Sequence, residues 1–350
     1  MNRFEVPTPA LTLDLDKFER NLERMARRVR ASGRALRPHV KAHKCPEVAR
    51  RQLALGASGL CVATVPEAEA MAREGFTGLL LTGPLGDPAK IRRVVATGAM
   101  AAVDHLRQVE WYAEAAASAS RTVDLLIDLD IGDHRTGASS TDQTREIARE
   151  IARSAHLNLR GIQAYSVAGS HGVNLAERFA NSDLTFSRAR AVRDALRVDG
   201  HPCELLTGGS TGTWDVDIAI EGFTELQAGS YALMDLAYRR IGIDFENAMT
   251  IQATVISANH ADFVTVDSGF KAFSTDRPFG PEPLGLPGAT YRWGGDEFGY
   301  INIGACPVKP RLGDRIELLP PHCDPTANLY GRIYACRGET MEAVWPTIQK

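Results

Sequence analysis

The chain has 350 residues, of which 44% are hydrophobic and 24% charged, the balance of a soluble globular protein with room for one large domain or two ordinary ones. Its 40 basic and 43 acidic residues leave a net charge of −3, which argues against a nucleic-acid or membrane-surface partner. No apolar run reaches the roughly 18 residues that a membrane helix needs.

The first residues, Met1-Asn2-Arg3-Phe4-Glu5-Val6-Pro7, lack the apolar stretch of a secretion signal. The six cysteines are scattered without a C-x-x-C pair, the pattern of reduced thiols, so a cytoplasmic location is expected. A short strand over residues 10–15 precedes a helix over 17–31. From Ala35 onward, apolar runs of strand length recur at 35–40, 59–64, 78–82, 99–103, 123–130, 159–165, 203–207 and 225–228. Stretches with helical spacing lie between them, at 47–55, 67–74, 88–97, 144–154 and 176–198. The first of these ends at Gly56, a helix stop. Strand and helix repeated eight times predict parallel strands with covering helices, and closure as a (β/α)₈ barrel over residues 16–243. An open doubly wound sheet is the competitor, weakened by the lack of a G-x-G-x-x-G after the first strand. Beyond residue 244 the pattern changes. Strand-like runs at 249–258, 263–266, 315–319 and 332–336, separated by Gly- and Pro-rich loops, predict a β-domain. Residues 1–15 are expected to join it, with 10–15 pairing there.

Active sites of such barrels lie at the C-terminal ends of the strands, and the unusual residues fall there. Lys41, in Arg37-Pro38-His39-Val40-Lys41-Ala42-His43-Lys44, follows the first barrel strand and is able to carry a Schiff base. Asp130 and Arg135 follow the fifth, Tyr165 and His171 the sixth. Thr207-Gly208-Gly209-Ser210-Thr211 follows the seventh and Gly229-Ser230-Tyr231 the eighth. Glycine backbone N–H groups with neighbouring hydroxyls suit a phosphate, so these last two segments point to a phosphorylated cofactor. A plain flexible loop is the other reading of the glycine run. Near the C-terminus, His322-Cys323-Asp324 offers an imidazole and a carboxylate to a divalent metal; a solvated loop pair is the alternative.

Taken with Thr8-Pro9-Ala10, Asp130-x-Gly132-x-x-Arg135-x-Gly137, Asp267-x-Gly269-x-Lys271 and His322-Cys323-Asp324-Pro325-Thr326, these motifs resemble the D-threonine aldolase and D-serine dehydratase family of pyridoxal-phosphate enzymes. The resemblance covers nearly the whole chain and is closer to the aldolases. It implies the alanine-racemase-like fold and a homodimer acting on a small β-hydroxy-D-amino acid. It assigns Lys41 as the Schiff-base lysine, with Lys44 as the rival. Arg135 corresponds to the arginine on the cofactor's phenolic oxygen, Tyr165 to a residue beside its ring, and His171 to a proposed base. His39 and His43 are expected to support the lysine. His322 and Asp324 correspond to the metal pair, with Mn²⁺ expected before Zn²⁺ or Mg²⁺. Dehydratase-like members resemble His-x-Cys and aldolase-like members His-x-Asp, so Asp324 favours retro-aldol cleavage and leaves Cys323 as no ligand. A dehydratase, a racemase and a non-catalytic cofactor carrier stay open. Phe298 stands where the family has a histidine, and the stretch Ser166-Val167-Ala168-Gly169-Ser170 is unlike the family's versions, so side-chain preference at the substrate is left unassigned.

Overall fold

The computed structural model describes residues 2–166, 169–172 and 174–349, without the His171 side chain. The chain divides into two compact units. One comprises the chain up to Arg24, Ala42–Val48 and Ser230–Gln349; the other comprises Met25–Lys41 and Ala49–Gly229.

The strands run in chain order from β1 (Ala10–Asp14) through the eight of the second unit: β2 (Ala35–Leu36), β3 (Leu60–Val62), β4 (Leu79–Leu81), β5 (Met100–Val103), β6 (Val123–Leu129), β7 (Leu157–Ala164), β8 (Leu205–Gly208) and β9 (Glu225–Leu226). These eight form one parallel sheet in the order β2-β9-β8-β7-β6-β5-β4-β3. The two ends meet: Ser58 N–H donates to Leu36 O and Cys61 N–H to Pro38 O, both at 2.8 Å, with a parallel bridge between His39 and Cys61. The sheet is therefore the expected (β/α)₈ barrel. Its strands are buried on both faces, as β3 and β4 are continuously apolar and inaccessible and β6 is inaccessible apart from Asp124, the signature of a parallel sheet sheathed in helices.

The helices start where local chemistry starts them. Thr64 accepts from Glu67 N–H as the N-cap of the Val65–Arg73 helix, and the Glu67 carboxylate accepts from Ala63 N–H just before it, so both side chains satisfy donors at the helix start. Asp87 caps Pro88–Thr97, where proline occupies the position at which no donor is needed. A further helix, Leu106–Ser118, lies outside the stretches expected from spacing. Its run of alanines between Glu114 and Ser118 carries little amphipathic contrast, so periodicity marks it weakly.

The barrel is held at one level by a buried ion pair. Arg37 Nε–H donates to Glu225 Oε1 at 2.8 Å, and both side chains are nearly inaccessible. Ser58 and Thr207 hydroxyls also donate to Glu225, at 3.0 and 3.1 Å, and the Arg37 guanidinium reaches Gly78 O. A Cβ on Gly59 would lie 2.1 Å from Arg37 Nη1, so only glycine leaves the guanidinium its place.

The other unit is a nine-stranded, mostly antiparallel sheet. It adds β10 (Met249–Ser257), β11 (Phe263–Val266), β12 (Glu282–Pro283), β13 (Thr290–Trp293), β14 (Gly299–Asn302), β15 (Arg315–Leu319), β16 (Arg332–Arg337) and β17 (Thr340–Pro346) to β1. The order is β13-β14-β11-β10-β1-β16-β17, with β15 joining β10 and β12. As expected, β1 pairs here, antiparallel to β10 and parallel to β16. Two motifs far apart in sequence meet in this sheet: Thr8 Oγ1 donates to Asp267 Oδ2 at 2.5 Å, and Thr254 N–H to Asp267 Oδ1 at 2.7 Å. Among the described residues no helix is long and apolar enough to cross a membrane.

Removing one charge of a buried pair leaves the other uncompensated, a loss of about 3–5 kcal/mol. Glu225→Gln is expected to lower the unfolding free energy by that amount in urea denaturation. A change below about 1 kcal/mol, the range of surface pairs, would contradict the role given to the pair.

Candidate active site

In the barrel unit, the residues singled out from sequence follow strand ends on one face. Lys41 lies just past β2 in the single 3₁₀ turn Val40–Ala42 and is half-buried. Its backbone N–H approaches His39 Nδ1 at 3.5 Å. On the other side of that ring, Nε2 pairs with Thr82 Oγ1 at 3.2 Å, while the same hydroxyl donates to Val62 O. Both contacts require one tautomer, with the proton on Nε2 and a lone pair on Nδ1.

Thr82 opens a polar chain across the barrel interior. Gln163 Nε2–H donates to Thr82 O at 2.8 Å and to Asp128 Oδ1 at 2.9 Å. Gln227 Nε2–H donates to Gln163 Oε1 at 3.3 Å and to Thr207 Oγ1 at 3.0 Å, and Thr207 passes its proton on to Glu225. These amides were not legible as functional in the sequence, because nothing in their spacing sets them apart from other strand residues. Burial pushes the Asp128 carboxyl up to about 6, with Gln163 and Thr136 bonds opposing it and Asp104 adding to it.

Arg135 lies over the Tyr165 ring, 4.9 Å from its centroid, so the two residues matched to the cofactor's ring and phenolic oxygen are neighbours. In the glycine segment, Gly209 has φ +72°, and a Cβ there would lie 2.3 Å from Asp217 Oδ2; one on Gly208 would lie 1.7 Å from Ala164 O. These glycines are therefore required by the protein side of the turn. Its shape is fixed by Ser210 N–H donating to Thr213 Oγ1, Gly212 N–H to Ser210 Oγ, and Thr213 Oγ1–H to Asp217. Burial raises the Asp217 carboxyl to about 7. Thr211 and Gly229 are buried as well. A tight, preformed turn with side-chain-free backbone fits a phosphate cradle. The His171 side chain, like Val167 and Ala168 of the atypical stretch, lies outside the described residues.

In the β-unit, His322 precedes the short helix Cys323–Ala327. His322 Nδ1 pairs with Asp276 Oδ2 at 2.7 Å. Ser230 Oγ–H donates to Asp324 Oδ1 at 2.8 Å, and Cys323 Sγ–H to the same oxygen at 3.2 Å. The Ser230 hydroxyl, grouped from sequence with the cofactor segment, is thus engaged with a carboxylate, and its backbone oxygen accepts from Leu233 and Met234 N–H. Tyr231 packs its ring 5.7 Å from Phe245. Burial holds the Cys323 thiol well above its ordinary range, with Asp235 and Asp324 adding to the effect. An imidazole nitrogen and a carboxylate oxygen fit a hard divalent cation. Among the described residues no cluster of three or more His, Cys, Asp or Glu forms a metal cage. Lys44, the rival lysine, is buried with its Nζ on Asn328 Oδ1. Asp276 has no sequence signal, since it becomes relevant only through a partner many residues away, and the same distance hides the contact of Ser230 with Asp324.

An alanine racemase N-terminal domain model matches residues 13–237, and a serine dehydratase domain model matches residues 248–336. D-threonine aldolase of Arthrobacter is 36% identical over 97% of this chain and 92% of its own length. A 3-hydroxy-D-aspartate aldolase of Paracoccus denitrificans is 35% identical over 99% and 92% respectively. The crystal structure of D-threonine aldolase from Filomicrobium marinum superposes with a TM-score of 0.93 at 35% identity, covering 99% of this chain and 96% of that one.

Asp128 gives this interior a pH signature. A carboxyl raised to about 6 in the folded state binds its proton more tightly folded than unfolded. Its stabilising effect is full below about pH 4 and is lost as pH rises through about 6. Each tenfold change in proton affinity is worth about 1.4 kcal/mol, so a rise of this size corresponds to roughly 3 kcal/mol. Asp128→Asn is therefore expected to flatten the stability profile between about pH 4 and 6 and to gain on the order of 2–3 kcal/mol relative to the parent at pH 7. An unchanged slope in urea denaturation across that window would contradict this.

Proposed function

Because the chain belongs to the D-threonine aldolase and D-serine dehydratase family, with its alanine-racemase-like fold, we propose that it is a pyridoxal-phosphate- and metal-dependent lyase. It cleaves β-hydroxy-D-amino acids between Cα and Cβ to glycine and an aldehyde. The substrate class is supported by the two relatives, whose names specify D-threonine and 3-hydroxy-D-aspartate. The observation that carries retro-aldol cleavage over elimination is the second metal donor. Asp324 offers a carboxylate oxygen, while the Cys323 thiol is buried and turned onto that carboxylate.

Pyridoxal phosphate, when bound, supplies an electron sink for the pair left at Cα. Lys41 holds the cofactor through its amine. Thr207, Gly208, Gly209, Ser210, Thr211 and Gly229, with the backbone of Ser230 and Tyr231, receive the phosphate. Arg135 offsets the charge of the phenolic oxygen, and Tyr165 flanks the ring. His322 and Asp324 would hold the cation, Mn²⁺ before Zn²⁺ or Mg²⁺, and its chemistry there would be to make the substrate β-hydroxyl a better proton donor. His171 accepts that proton; a neutral imidazole suits the task near pH 7. The protein works as a cytoplasmic homodimer. Elimination to a 2-oxo acid is the second reading, favoured by the serine dehydratase match over residues 248–336.

Incubated with D-threonine and Mn²⁺, the purified protein is expected to release acetaldehyde and glycine, and to stop on addition of a chelator. Ammonia with 2-oxobutyrate would instead establish the dehydratase. Lys41→Ala is expected to lose both the bound-cofactor absorbance and turnover, and an active Lys41→Ala protein would overturn its assignment. His171→Ala is expected to slow turnover by about 10²–10⁴-fold, the range of a general base, with cofactor absorbance retained.

A further inference from the structure

We propose that Asp276 is a positioning residue that orients the His322 imidazole for a divalent cation; this rests on the reading of His322 and Asp324 as the metal pair. A carboxylate only accepts hydrogen bonds, so Asp276 Oδ2, 2.7 Å from Nδ1, holds the proton on that nitrogen and leaves the lone pair on Nε2. Metal-binding histidines are commonly held in this way, by a carboxylate on the ring nitrogen that faces away from the cation.

The plain alternative is a surface ion pair. Asp276 is 43% exposed against 19% for His322, and such pairs contribute little by themselves. What distinguishes this one is how the two residues are fixed. Two positions before Asp276, Ser274 N–H donates to Thr326 Oγ1 at 3.1 Å, and Thr326 Oγ1–H bonds Ser274 Oγ at 3.2 Å. Ser274 Oγ–H also reaches the backbone oxygen of His322 itself, at 3.4 Å. Ser274 and Thr326 are buried, so the segment that carries Asp276 is clipped to the segment that carries His322 by bonds shielded from water. The carboxylate is therefore delivered to the imidazole by the backbone of both segments. Arg277 Nε, 3.5 Å from the same Oδ2, is a looser partner than the imidazole. On the other half of the pair, Ser230 treats Asp324 in the same manner by occupying Oδ1.

The test uses the cofactor-loaded protein, stripped of metal with a chelator and titrated with Mn²⁺ while free Mn²⁺ is followed by electron paramagnetic resonance. Parent, Asp276→Ala, Asp276→Asn and His322→Ala are compared. Asp276→Ala is expected to bind Mn²⁺ about 10–100-fold more weakly, the usual effect of losing such a support. Its cofactor absorbance and its Tm in chelator are expected to match the parent. Asp276→Asn keeps an acceptor oxygen for Nδ1–H and is expected to recover most of the lost affinity. Three results would overturn the proposal: Asp276→Ala binding as the parent while His322→Ala does not; Asp276→Asn no better than Asp276→Ala, which would make the charge or direct ligation the operative feature; or a lowered Tm in chelator for both Asp276 variants. Mn²⁺ binding unchanged in His322→Ala would instead remove the metal-pair reading itself.

Discussion

The buried pair of Arg37 and Glu225 is the constraint on which the barrel site depends. The strands that flank Lys41 are short: β2 and β9 share a ladder of only two residue pairs. Two pairs of backbone bonds are little with which to hold a lysine in register, and the ion pair adds a rigid side-chain tie one residue beyond the end of β2. It reaches β8 through Thr207, the start of β3 through Ser58 and the start of β4 through Gly78. A charge pair out of water is costly unless its remaining lone pairs and protons are satisfied. Here the carboxylate accepts from three donors on three segments, so each bond that offsets desolvation also locates a strand. The small residues around it follow from the same requirement, Gly59 above all.

From that tie a chain of amides and hydroxyls crosses the interior to the ring of His39. Fully satisfied networks of this kind rigidify a core, and partly satisfied ones weaken it. Gln163 is the central member, because its two N–H groups and its oxygen all have partners. The cost is Asp128, whose carboxyl is buried far enough to hold its proton at a pH where exposed carboxyls do not. The gain is that the His39 tautomer is set from outside the reacting region. The lysine turn is thereby supported by groups that carry no chemistry of their own.

The β-unit solves a related problem with different parts. His322 stands just before a short helix and Asp324 in its first turn, and neither side chain is left to find its orientation alone. The imidazole is held by Asp276 and the carboxylate by Ser230 and Cys323. Buried Asp235 anchors the start of that helix by accepting from Cys323 N–H at 2.9 Å. Phe298, which the sequence resemblance sets against a family histidine, is 45% exposed on the turn between β13 and β14, where Lys271 pairs with Glu297. An exposed aromatic side chain in place of an imidazole changes what this turn can offer a polar partner, while the backbone bond from Gly294 N–H to Phe298 O keeps the turn closed.

The barrel and most of the candidate residues were legible in the sequence. Alternation of apolar runs with helical spacing reports which elements form, because both periods arise from local backbone geometry. The lysine, the His-x-Asp pair and the glycine segment are short contiguous patterns. The strands β13 and β14 were not legible: they are four residues each, rich in aromatics and glycine, and they stand as strands only because they pair with each other and with β11. The supports of the site were equally hidden. Glu225 lies 188 residues from Arg37, Asp276 46 from His322, and Ser230 94 from Asp324. A hydrogen bond between side chains so far apart leaves no trace in local periodicity. The sequence by itself therefore determined most of the elements and pointed to the candidate groups, whereas tertiary structure decided the short strands that exist only by pairing and which oxygen and which ring nitrogen of each group is already engaged, because only folding brings their partners within bonding distance.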